Sequence, residues 1–454
     1  IALLRRLQAR SKRFFLLESV EGGEKWARYS FLGYDPVLRA RCKNGVVTLE
    51  GAENRTVQTA KPLDVLRELL GKYRAPRIEG LPPFTGGFVG YFAYAMLGYA
   101  EPKLRIRRGA WEDFDLLLFD KVIAYDHLRQ KLVLIVNMRT DSVMENYGKA
   151  CAELESMAAL VNDQSPLPPL QAAEAPRFAC SMTEEQYAAV VRKTREYIYN
   201  GDIFQAVISR QFTSPMKGSL LNAYRVLRTT NPSPYMVYLH VDEEELMSSS
   251  PETLVRLQNG RLTTFPVAGS RPRGKNREED EELERDLLSD EKELSEHNML
   301  VDLGRNDLGR ISKFGSVDVT KYMMIHRYSK IMHICSQVES EIESSKDGLD
   351  AIEAVLPAGT LSGAPKIRAC EIIEELESEE RGIYGGALGY LDFAGNLDTC
   401  IAIRMAVKKD DKVYVQAGGG IVADSVPEKE YEESANKAAA VMQAIQNAEE
   451  VDKV

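Results

Sequence analysis

The chain has 454 residues, of which 44% are hydrophobic and 28% charged, and its formal net charge at pH 7 is −10. This length allows two or three average domains or one large composite domain, while the acidic balance argues against nucleic acid as a partner and no apolar run approaches the roughly 20 residues that cross a membrane. The six cysteines show no zinc-binding spacing, so we expect reduced thiols and a cytoplasmic location.

The first part of the chain predicts a mixture of strands and helices. Patterned apolar runs predict strands over Trp26–Phe31, Leu38–Cys42, Val46–Leu49, Leu116–Ala124 and Leu132–Val136. Helices are predicted over Pro62–Lys72 and Ser142–Leu160. Between them, the glycine-rich stretch Gly86–Tyr91 favours close contacts between strands over a ligand site.

A proline-rich stretch of low periodicity, Val161–Cys180, is the best linker candidate. It separates residues 1–165 from residues 175–454, and we expect each range to form a region of its own. No tandem repeat or low-complexity tract marks a further boundary.

The second part of the chain predicts longer helices among its strands. Thr183–Tyr199 opens with a capping pattern, and Asp280–Asp302 carries an apolar residue at every seventh position. Ala387–Phe393 and Thr399–Val407 flank the short turn Ala394–Asn396, which predicts a hairpin. Since strands and helices do not alternate strictly, we expect an α+β fold with large antiparallel sheets packed with helices.

Two glutamates stand out as candidate metal ligands. Glu296 lies along the apolar stripe of the predicted long helix, where a carboxylate must be paired, protonated or bound to metal. Glu433 lies in a helix that the pattern Ser425–Glu428 opens as a capping box. Two carboxylates with water and substrate oxygens suit Mg²⁺. The alternative, solvated or salt-bridged glutamates, stays open on these residues alone.

Three glycines follow the strand Lys412–Val415. Gly418, Gly419 and Gly420 let the backbone approach a ligand and direct N–H groups at an anion. A simple turn explains the same three glycines, so this pattern alone decides nothing.

Arg404 is predicted to lie on a strand with only small residues on its face. Cys400, Ala402 and Ala406 share that face, which leaves room for a planar carboxylate to dock bidentately on the guanidinium. An ion pair with a structural acid is the alternative.

The stretch Gly359–Lys366 is similar to a phosphate-binding loop but does not satisfy its pattern. Pro365 precedes the lysine and Ile367 follows it, so GxxxxGK[ST] fails. A nucleotide-hydrolysing function therefore loses its main support.

A set of motifs resembles the chorismate-using enzymes. The motifs are Gly201–Gln205, Ser250–Glu252, Pro266–Ser270, Ser295–Asp307, Pro357–Lys366, Arg381–Gly386 and Gly418–Glu433. They span the second region in the order found in anthranilate, aminodeoxychorismate, isochorismate and salicylate synthases, whereas the first region matches more loosely. The resemblance implies the chorismate-binding α+β fold.

The resemblance also implies roles for individual residues. Glu296 and Glu433 would hold Mg²⁺, which grips the ring carboxylate of chorismate and favours loss of the C4 hydroxyl. Glu252 would protonate that hydroxyl as general acid. The substrate-binding set would be Tyr384 and Arg404 for the carboxylates, with the backbones of Gly269, Ser270, Gly418, Gly419 and Gly420 completing the anion site.

Two positions distinguish the branches of the family. Isochorismate and salicylate synthases carry a lysine base where Gln205 stands, and aminodeoxychorismate synthases commonly carry a nucleophilic lysine where Ala268 stands. Neither residue supplies an amine, so direct attack of ammonia at C2 is implied. His333 and Thr360 occupy positions associated with anthranilate formation. The chain thus resembles most closely the large subunit of anthranilate synthase.

The resemblance also implies regulation and partners, with residues 1–165 as a tryptophan-binding regulatory region and residues 175–454 as the chorismate-binding catalytic domain. Leu16–Ser19 and Asn231–Met236 resemble the elements that bind tryptophan as feedback inhibitor, so Ser19, Pro234, Tyr235 and Met236 are the predicted allosteric residues. No cysteine has a nucleophile-elbow setting, so a separate glutamine amidotransferase subunit would supply ammonia in a hetero-oligomer. Three alternatives stay open: an aminodeoxychorismate synthase, an enzyme that stops before pyruvate loss, and an inactive tryptophan-sensing protein.

Overall fold

The structure is a computed structural model, and it describes residues 1–19, 28–167, 175–328 and 331–450. The strands are β1 Arg13–Glu18, β2 Tyr29–Tyr34, β3 Leu38–Lys43, β4 Val46–Gly51, β5 Arg55–Gln58, β6 Gly87–Phe92, β7 Phe114–Phe119, β8 Lys121–Asp126, β9 Lys131–Val136, β10 Ala179–Cys180, β11 Gln205–Pro215, β12 Tyr235–Val241, β13 Glu244–Ser250, β14 Thr253–Gln258, β15 Arg261–Thr264, β16 Val267–Pro272, β17 Asp318–Arg327, β18 Ile331–Glu341, β19 Gly363–Ala364, β20 Ala387–Asp392, β21 Leu397–Ile401, β22 Met405–Lys409 and β23 Lys412–Ile421.

The helices are α1 Ala2–Gln8, α2 Pro62–Lys72, α3 Leu97–Ala100, α4 Val143–Asn162, α5 Glu184–Tyr199, α6 Leu221–Thr230, α7 Arg277–Ser289, α8 Glu291–Gly309, α9 Gly348–Val355, α10 Lys366–Leu376 and α11 Pro427–Gln446. Short 3₁₀ helices lie at Tyr94–Met96, Gly359–Leu361 and Ala448–Glu450. No helix in the described ranges is both long enough and apolar enough to cross a membrane.

The strands form two antiparallel sheets. Within the described residues, the first sheet has eleven strands in the order β10-β11-β23-β22-β13-β12-β1-β2-β8-β9, with β19 paired to β11. The second has twelve in the order β16-β18-β15-β14-β21-β20-β6-β7-β3-β4-β5, with β17 paired to β18. The prediction of an α+β fold with large antiparallel sheets is confirmed.

The core is layered. One apolar cluster lies between the sheets and takes Phe15 and Leu239 from the first sheet and Leu117 and Leu388 from the second. The outer face of the first sheet packs against α1, α4, α6 and α11, and the outer face of the second packs against α2, α8 and α9. Because both faces of the central strands are buried, β1 contains the unbroken apolar run Phe14–Leu17 and β7 the run Leu116–Phe119, without polar residues in alternation.

Strands of both predicted regions lie in both sheets. β1 pairs with β12 and β6 pairs with β20, so each sheet joins residues 1–165 to residues 175–454 through backbone hydrogen bonds. The regions interleave in space, and their assignment to regulation and catalysis stays a prediction. Residues 168–174 of the predicted linker Val161–Cys180 and residues 26–27 of the predicted strand Trp26–Phe31 lie outside the described residues.

Two predicted strands are wrong because each is two strands in different sheets. Leu116–Ala124 divides at Asp120 into β7 of the second sheet and β8 of the first. Thr399–Val407 divides in the same manner into β21 and β22. When both faces of a strand are buried, the apolar pattern continues through the crossing and gives no sign of it.

The predicted helix Asp280–Asp302 is wrong for a local reason. Asp290 adopts an extended conformation and its side chain accepts hydrogen bonds from the N–H groups of Lys292 and Glu293, which ends α7 and begins α8. The capping box predicted at Ser425–Glu428 is also wrong, because Val426 is the N-cap of α11 and forms no side-chain cap. The cap predicted for α5 is confirmed, with Thr183 as the N-cap.

Candidate active site

Glu252 and Arg404 lie where two neighbouring chain segments cross between the sheets. Glu252 joins β13 to β14, Arg404 lies between β21 and β22, and the four strands pair with one another. The backbone N–H of Ser249 donates to the Arg404 carbonyl at 3.1 Å, and that of Ile401 donates to the Glu252 carbonyl at 3.0 Å. The predicted strand through Arg404 is therefore corrected, since Arg404 has a φ of 47° and shares no strand face with Cys400.

Glu252 has the properties of a proton donor. Burial raises the pKa of its carboxyl to about 7, while the Thr360 hydroxyl and the Arg404 charge act in the opposite direction. Thr360 lies in the 3₁₀ helix Gly359–Leu361 and donates its hydroxyl to Oε1 of Glu252 at 3.1 Å. A carboxyl with a pKa near neutrality can be protonated at rest and still release its proton.

Arg404 presents a guanidinium without a salt bridge to any of the described residues. Burial lowers the pKa of the group, and the nearby Glu252 charge raises it. The structural ion pair, which was the alternative to a carboxylate-docking role, is therefore not formed within the described part of the chain. A half-buried arginine without a salt bridge leaves a docking position for an anionic ligand.

His333 is held in one orientation by a bulge in the neighbouring strand. Its Nδ1 donates to the carbonyl oxygen of Gly269 at 3.0 Å, and the β16–β18 register shifts between Ala268 and Ser270. Gly269 adopts a φ of 70°, which a glycine tolerates at a bulge. Burial lowers the pKa of His333 and the Arg404 charge acts in the same direction, so the imidazole is neutral with Nε2 free to accept a proton.

The three predicted glycines lie inside a strand. Gly418, Gly419 and Gly420 belong to β23 and pair with β11, so the turn alternative is wrong. A Cβ on Gly418 would lie 2.3 Å from the carbonyl oxygen of Ile208, and one on Gly420 would lie 2.2 Å from Nε2 of Gln205. Glycine is required here because the partner strand and the Gln205 side chain occupy the space of a side chain.

The carboxylates of α11 lie against the same strand. A Cβ on Gly419 would be 3.1 Å from Oε2 of Glu430 and 3.8 Å from Oε1 of Glu433. Lys437 forms a 2.7 Å salt bridge with Glu433 and donates to the Gly418 carbonyl at 3.2 Å. Burial and the Glu433 charge raise the pKa of Glu430.

Glu296 faces the same group of charges from α8. Its pKa is raised by burial and by Glu293, and lowered by Lys292, Lys437 and the Gln205 side chain. Glu296 and the α11 carboxylates thus share lysine neighbours. No cluster of three metal-binding side chains occurs in the described residues, so a cation here would be held by two carboxylates and by ligands from outside the chain.

Tyr384 is buried behind the glycine strand. Its pKa is raised by burial, and the Gly418 backbone forms a hydrogen bond with it that acts in the opposite direction. Ser270, by contrast, is exposed at the bulge of β16. Glu252 is thus close to Thr360 and Arg404, whereas Gln205 and Tyr384 lie against the glycines of β23.

The sequence and the fold are similar to those of known proteins. A sequence profile described as chorismate binding enzyme matches residues 13–443. The chain belongs to the chorismate-binding enzyme family. It is 46% identical to anthranilate synthase component 1 of Acetivibrio thermocellus, over 99% of this chain and 93% of that protein, and 46% identical to the protein of that name from Aquifex aeolicus, over 99% and 92%.

Solved structures share the fold of this chorismate-binding enzyme. The crystal structure of anthranilate synthase component I from Streptococcus pneumoniae superposes with a TM-score of 0.83 at 37% identity, over 93% of this chain and 95% of that one. The menaquinone-specific isochorismate synthase of Escherichia coli superposes with a TM-score of 0.73 at 18% identity, over 97% and 91%. The latter likeness concerns the fold alone.

The four predicted allosteric residues of this chorismate-binding enzyme line one cavity. Ser19, Pro234, Tyr235 and Met236 contribute to a cavity of about 240 Å³, because β1 pairs with β12 in the register Glu18 to Met236. The Ser19 hydroxyl is buried without a hydrogen-bond partner among the described residues. An unpaired buried hydroxyl in an amino-acid-sized cavity favours a polar ligand.

Sequence reasoning missed a buried network that supports the site. Arg381 donates to Glu377 at 2.7 Å, to the Leu361 carbonyl at 2.5 Å and to the Val207 carbonyl at 2.7 Å. It therefore ties β11 to the 3₁₀ helix that carries Thr360. Arg381 opens the motif Arg381–Gly386, but that motif does not indicate a buried partner, because Glu377 lies outside it at the end of α10.

Lys366 of the rejected phosphate-loop pattern is also buried in an ion pair. It donates to Asp307 at 2.8 Å and to the Val355 carbonyl at 3.0 Å. Asp307 lines a cavity of about 40 Å³ with Glu252 and Thr360. Lys366 therefore pairs with a residue that lines the cavity beside Glu252.

Proposed function

We propose that this chain converts chorismate and ammonia into anthranilate and pyruvate in a Mg²⁺-dependent reaction, the first committed step of tryptophan biosynthesis. The observation that carries the proposal is Glu252, whose pKa of about 7 suits a general acid and which lies beside Thr360 and the guanidinium of Arg404. The similarity to two proteins named anthranilate synthase component 1 over 99% of this chain supports the same reaction.

Substrate binding falls to groups that are not already paired. Arg404 takes a carboxylate of chorismate bidentately, because no salt bridge with a described residue competes for it. Tyr384 donates its hydroxyl to a carboxylate from the side of β23. The backbone N–H groups of Gly269, Ser270 and the β23 glycines complete the anion site.

The residues fit Mg²⁺ held jointly with substrate. Glu296 and Glu433 supply two carboxylates, and Mg²⁺ commonly takes one or two carboxylates with water and substrate oxygens. The raised pKa values of Glu296 and its neighbour Glu430, each due first to burial, indicate a place where a further positive charge is favoured. When bound, Mg²⁺ neutralises the ring carboxylate and favours departure of the C4 hydroxyl.

The addition step is assigned to Glu252. Its proton passes to the C4 hydroxyl, the C4–O bond breaks, and water leaves. The ammonia lone pair forms the C2–N bond as the ring double bonds shift toward C4. The nitrogen then releases one proton, which balances the proton that Glu252 donated.

The elimination step is assigned to His333. Loss of the C2 proton and of the enolpyruvyl group at C3 makes the ring aromatic and gives anthranilate and pyruvate. His333 assists this step because its Nδ1–H is engaged by the Gly269 carbonyl, which leaves the lone pair of Nε2 for a proton. Thr360 keeps Glu252 in position during both steps.

Two residues favour this branch of the family. Gln205 is an amide and cannot deprotonate water, which disfavours isochorismate formation. Ala268 has no amine, which disfavours amination at C4 through a lysyl adduct. The nucleophile that remains is ammonia itself, because its lone pair needs no prior deprotonation.

We propose in addition that a glutamine amidotransferase subunit, the second component that the relatives' names imply, supplies the ammonia, and that L-tryptophan inhibits the enzyme from the cavity at Tyr235. A cytoplasmic location agrees with six free cysteines, four of them buried.

The test uses the purified chain near neutral pH with chorismate, Mg²⁺ and an ammonium salt at a concentration high enough to supply free ammonia. Anthranilate fluorescence should appear together with an equal amount of pyruvate, and neither should appear without Mg²⁺ or ammonium. Glu252→Gln should abolish the signal, whereas Glu432→Gln, at an exposed position of α11, should keep it. Formation of 4-amino-4-deoxychorismate, isochorismate or an amino intermediate without pyruvate would refute the assignment.

A further inference from the structure

A second cavity, separate from the one at Tyr235, lies between α2, α3 and α9. Its volume is about 260 Å³, close to the volume of about 240 Å³ at Tyr235, and the two cavities have no lining residue in common. None of its lining residues belongs to the predicted catalytic or metal-binding sets. The cavity has room for a small organic molecule and lies outside both sites described above.

The inner wall of this second cavity is apolar. Leu63 reaches it from α2, Leu97 from α3, and Leu356 from the residue that follows α9. Each of these side chains is at most 5% exposed. Because apolar surface gains free energy when it is removed from water, this wall favours an apolar group on a ligand.

Most polar side chains at the rim are already paired. Arg67 of α2 forms salt bridges with Asp64 at 2.7 Å and with Asp350 of α9 at 3.2 Å. The Tyr99 hydroxyl donates to Asp113 at 2.6 Å. These contacts connect the walls of the cavity to one another and to the second sheet, and they leave these groups little capacity to bind a ligand.

Two charged groups of the rim remain available, and they have opposite signs. Lys61 and Glu353 line the cavity, and neither side chain forms a salt bridge or hydrogen bond with another described residue. Lys61 is exposed at the N-cap of α2, and Glu353 is half-buried in α9. One wall thus carries a free ammonium group and another wall a free carboxylate.

This combination selects the chemistry of the ligand. A carboxylate suits Lys61, an ammonium group suits Glu353, and an apolar side chain suits the inner wall. An α-amino acid with an apolar side chain carries all three groups in one small molecule. A nucleotide or a sugar phosphate would instead bring several negative charges to a rim that already holds three carboxylates.

We propose that the cavity between α2 and α9 is a binding site for an α-amino acid with an apolar side chain. The site lies one helix away from the active site, because Val355 of α9 and Thr360 line the small cavity beside Glu252. It is independent of the cavity at Tyr235, so both can be filled at the same time.

The experiment titrates L-phenylalanine into the full chain by isothermal titration calorimetry. Two analogues each lack one charged group: 3-phenylpropionate has no ammonium group, and 2-phenylethylamine has no carboxylate. Phenylalanine should bind, and each analogue should bind about fivefold more weakly, the factor expected for one lost ion pair at a rim that is open to solvent. No binding of phenylalanine up to about 10 mM, or equal affinity for all three compounds, overturns the inference.

Variants locate the bound molecule. Glu353→Gln and Lys61→Gln should each raise the Kd for phenylalanine about fivefold, because each removes one charged contact and leaves the core intact. Glu379→Gln, at an exposed position away from the cavity, is the matched control and should leave the Kd unchanged. Ser19→Ala, in the cavity at Tyr235, should leave it unchanged as well. An unchanged Kd in Glu353→Gln or Lys61→Gln, or loss of binding in Ser19→Ala, overturns the inference.

Discussion

Thr360 is expected to set the pH range in which Glu252 can act. Its hydroxyl donates to Glu252 at 3.1 Å and so favours the ionised carboxylate, which keeps the pKa at about 7, below the value that burial alone would give. Thr360→Val keeps the branched shape and removes the donor. The pKa of Glu252 should therefore rise further in this variant.

The magnitude follows from the hydrogen bond. A hydrogen bond to a charged group contributes about 1.5–3 kcal/mol, and one pKa unit corresponds to about 1.4 kcal/mol. At a length of 3.1 Å the lower end applies, so the pKa should move up by about one unit.

The measurement is kcat/KM for chorismate against pH at constant free ammonia. Below its pKa Glu252 is protonated and can donate, and above it the group is ionised, so kcat/KM falls as pH rises through the pKa of the free enzyme. Thr360→Val should shift this fall to higher pH, and Thr360→Ser, which keeps the hydroxyl, should not. An unmoved fall, a shift to lower pH, or the same shift in both variants would refute the reasoning.

Three further predictions concern stability, metal and regulation. Glu377→Gln should lower the free energy of unfolding by about 3–5 kcal/mol in chemical denaturation, because it leaves a buried arginine charge unpaired, whereas exposed Glu379→Gln should change it by about 0.5 kcal/mol or less. Glu433→Gln should remove the activity seen at Mg²⁺ concentrations that saturate the unmodified chain, and Glu432→Gln should not. Tyr235→Phe should retain tryptophan binding in calorimetry but weaken inhibition. The Tyr235 hydroxyl lies in the cavity and 3.0 Å from Oγ1 of Thr253, which follows Glu252 in the chain.

Each of these predictions has an opposing outcome. Equal stability of the Glu377 and Glu379 variants would show that the buried ion pair contributes nothing net. Full activity of Glu433→Gln at limiting Mg²⁺ would remove this residue from the metal site. Loss of tryptophan binding in Tyr235→Phe, or inhibition as strong as in the unmodified chain, would show that the hydroxyl does not couple the two sites.

Much of the local structure was accessible from the sequence. The apolar spacing predicts α2 and α4, because each helix buries one face and leaves the other in solvent. The sequence did not predict the boundary between two buried strands at Asp120. It also did not predict the helix break at Asp290, where the Asp290 side chain caps the next helix. Both failures share a cause, because neither boundary is visible in the apolar pattern. At Asp120 the boundary depends on which sheet each strand pairs with, and at Asp290 it depends on the conformation of one residue.

Residue types alone identify the groups that could carry the chemistry: the acid Glu252, the guanidinium of Arg404, and Gln205 and Ala268 without amines. The pKa and the pairing of these groups depend on the fold, because they are set by neighbours that are distant in the chain. The crossing of two strand pairs between the sheets places Arg404 beside Glu252. The absence of a side chain at Gly420 leaves room for the amide of Gln205.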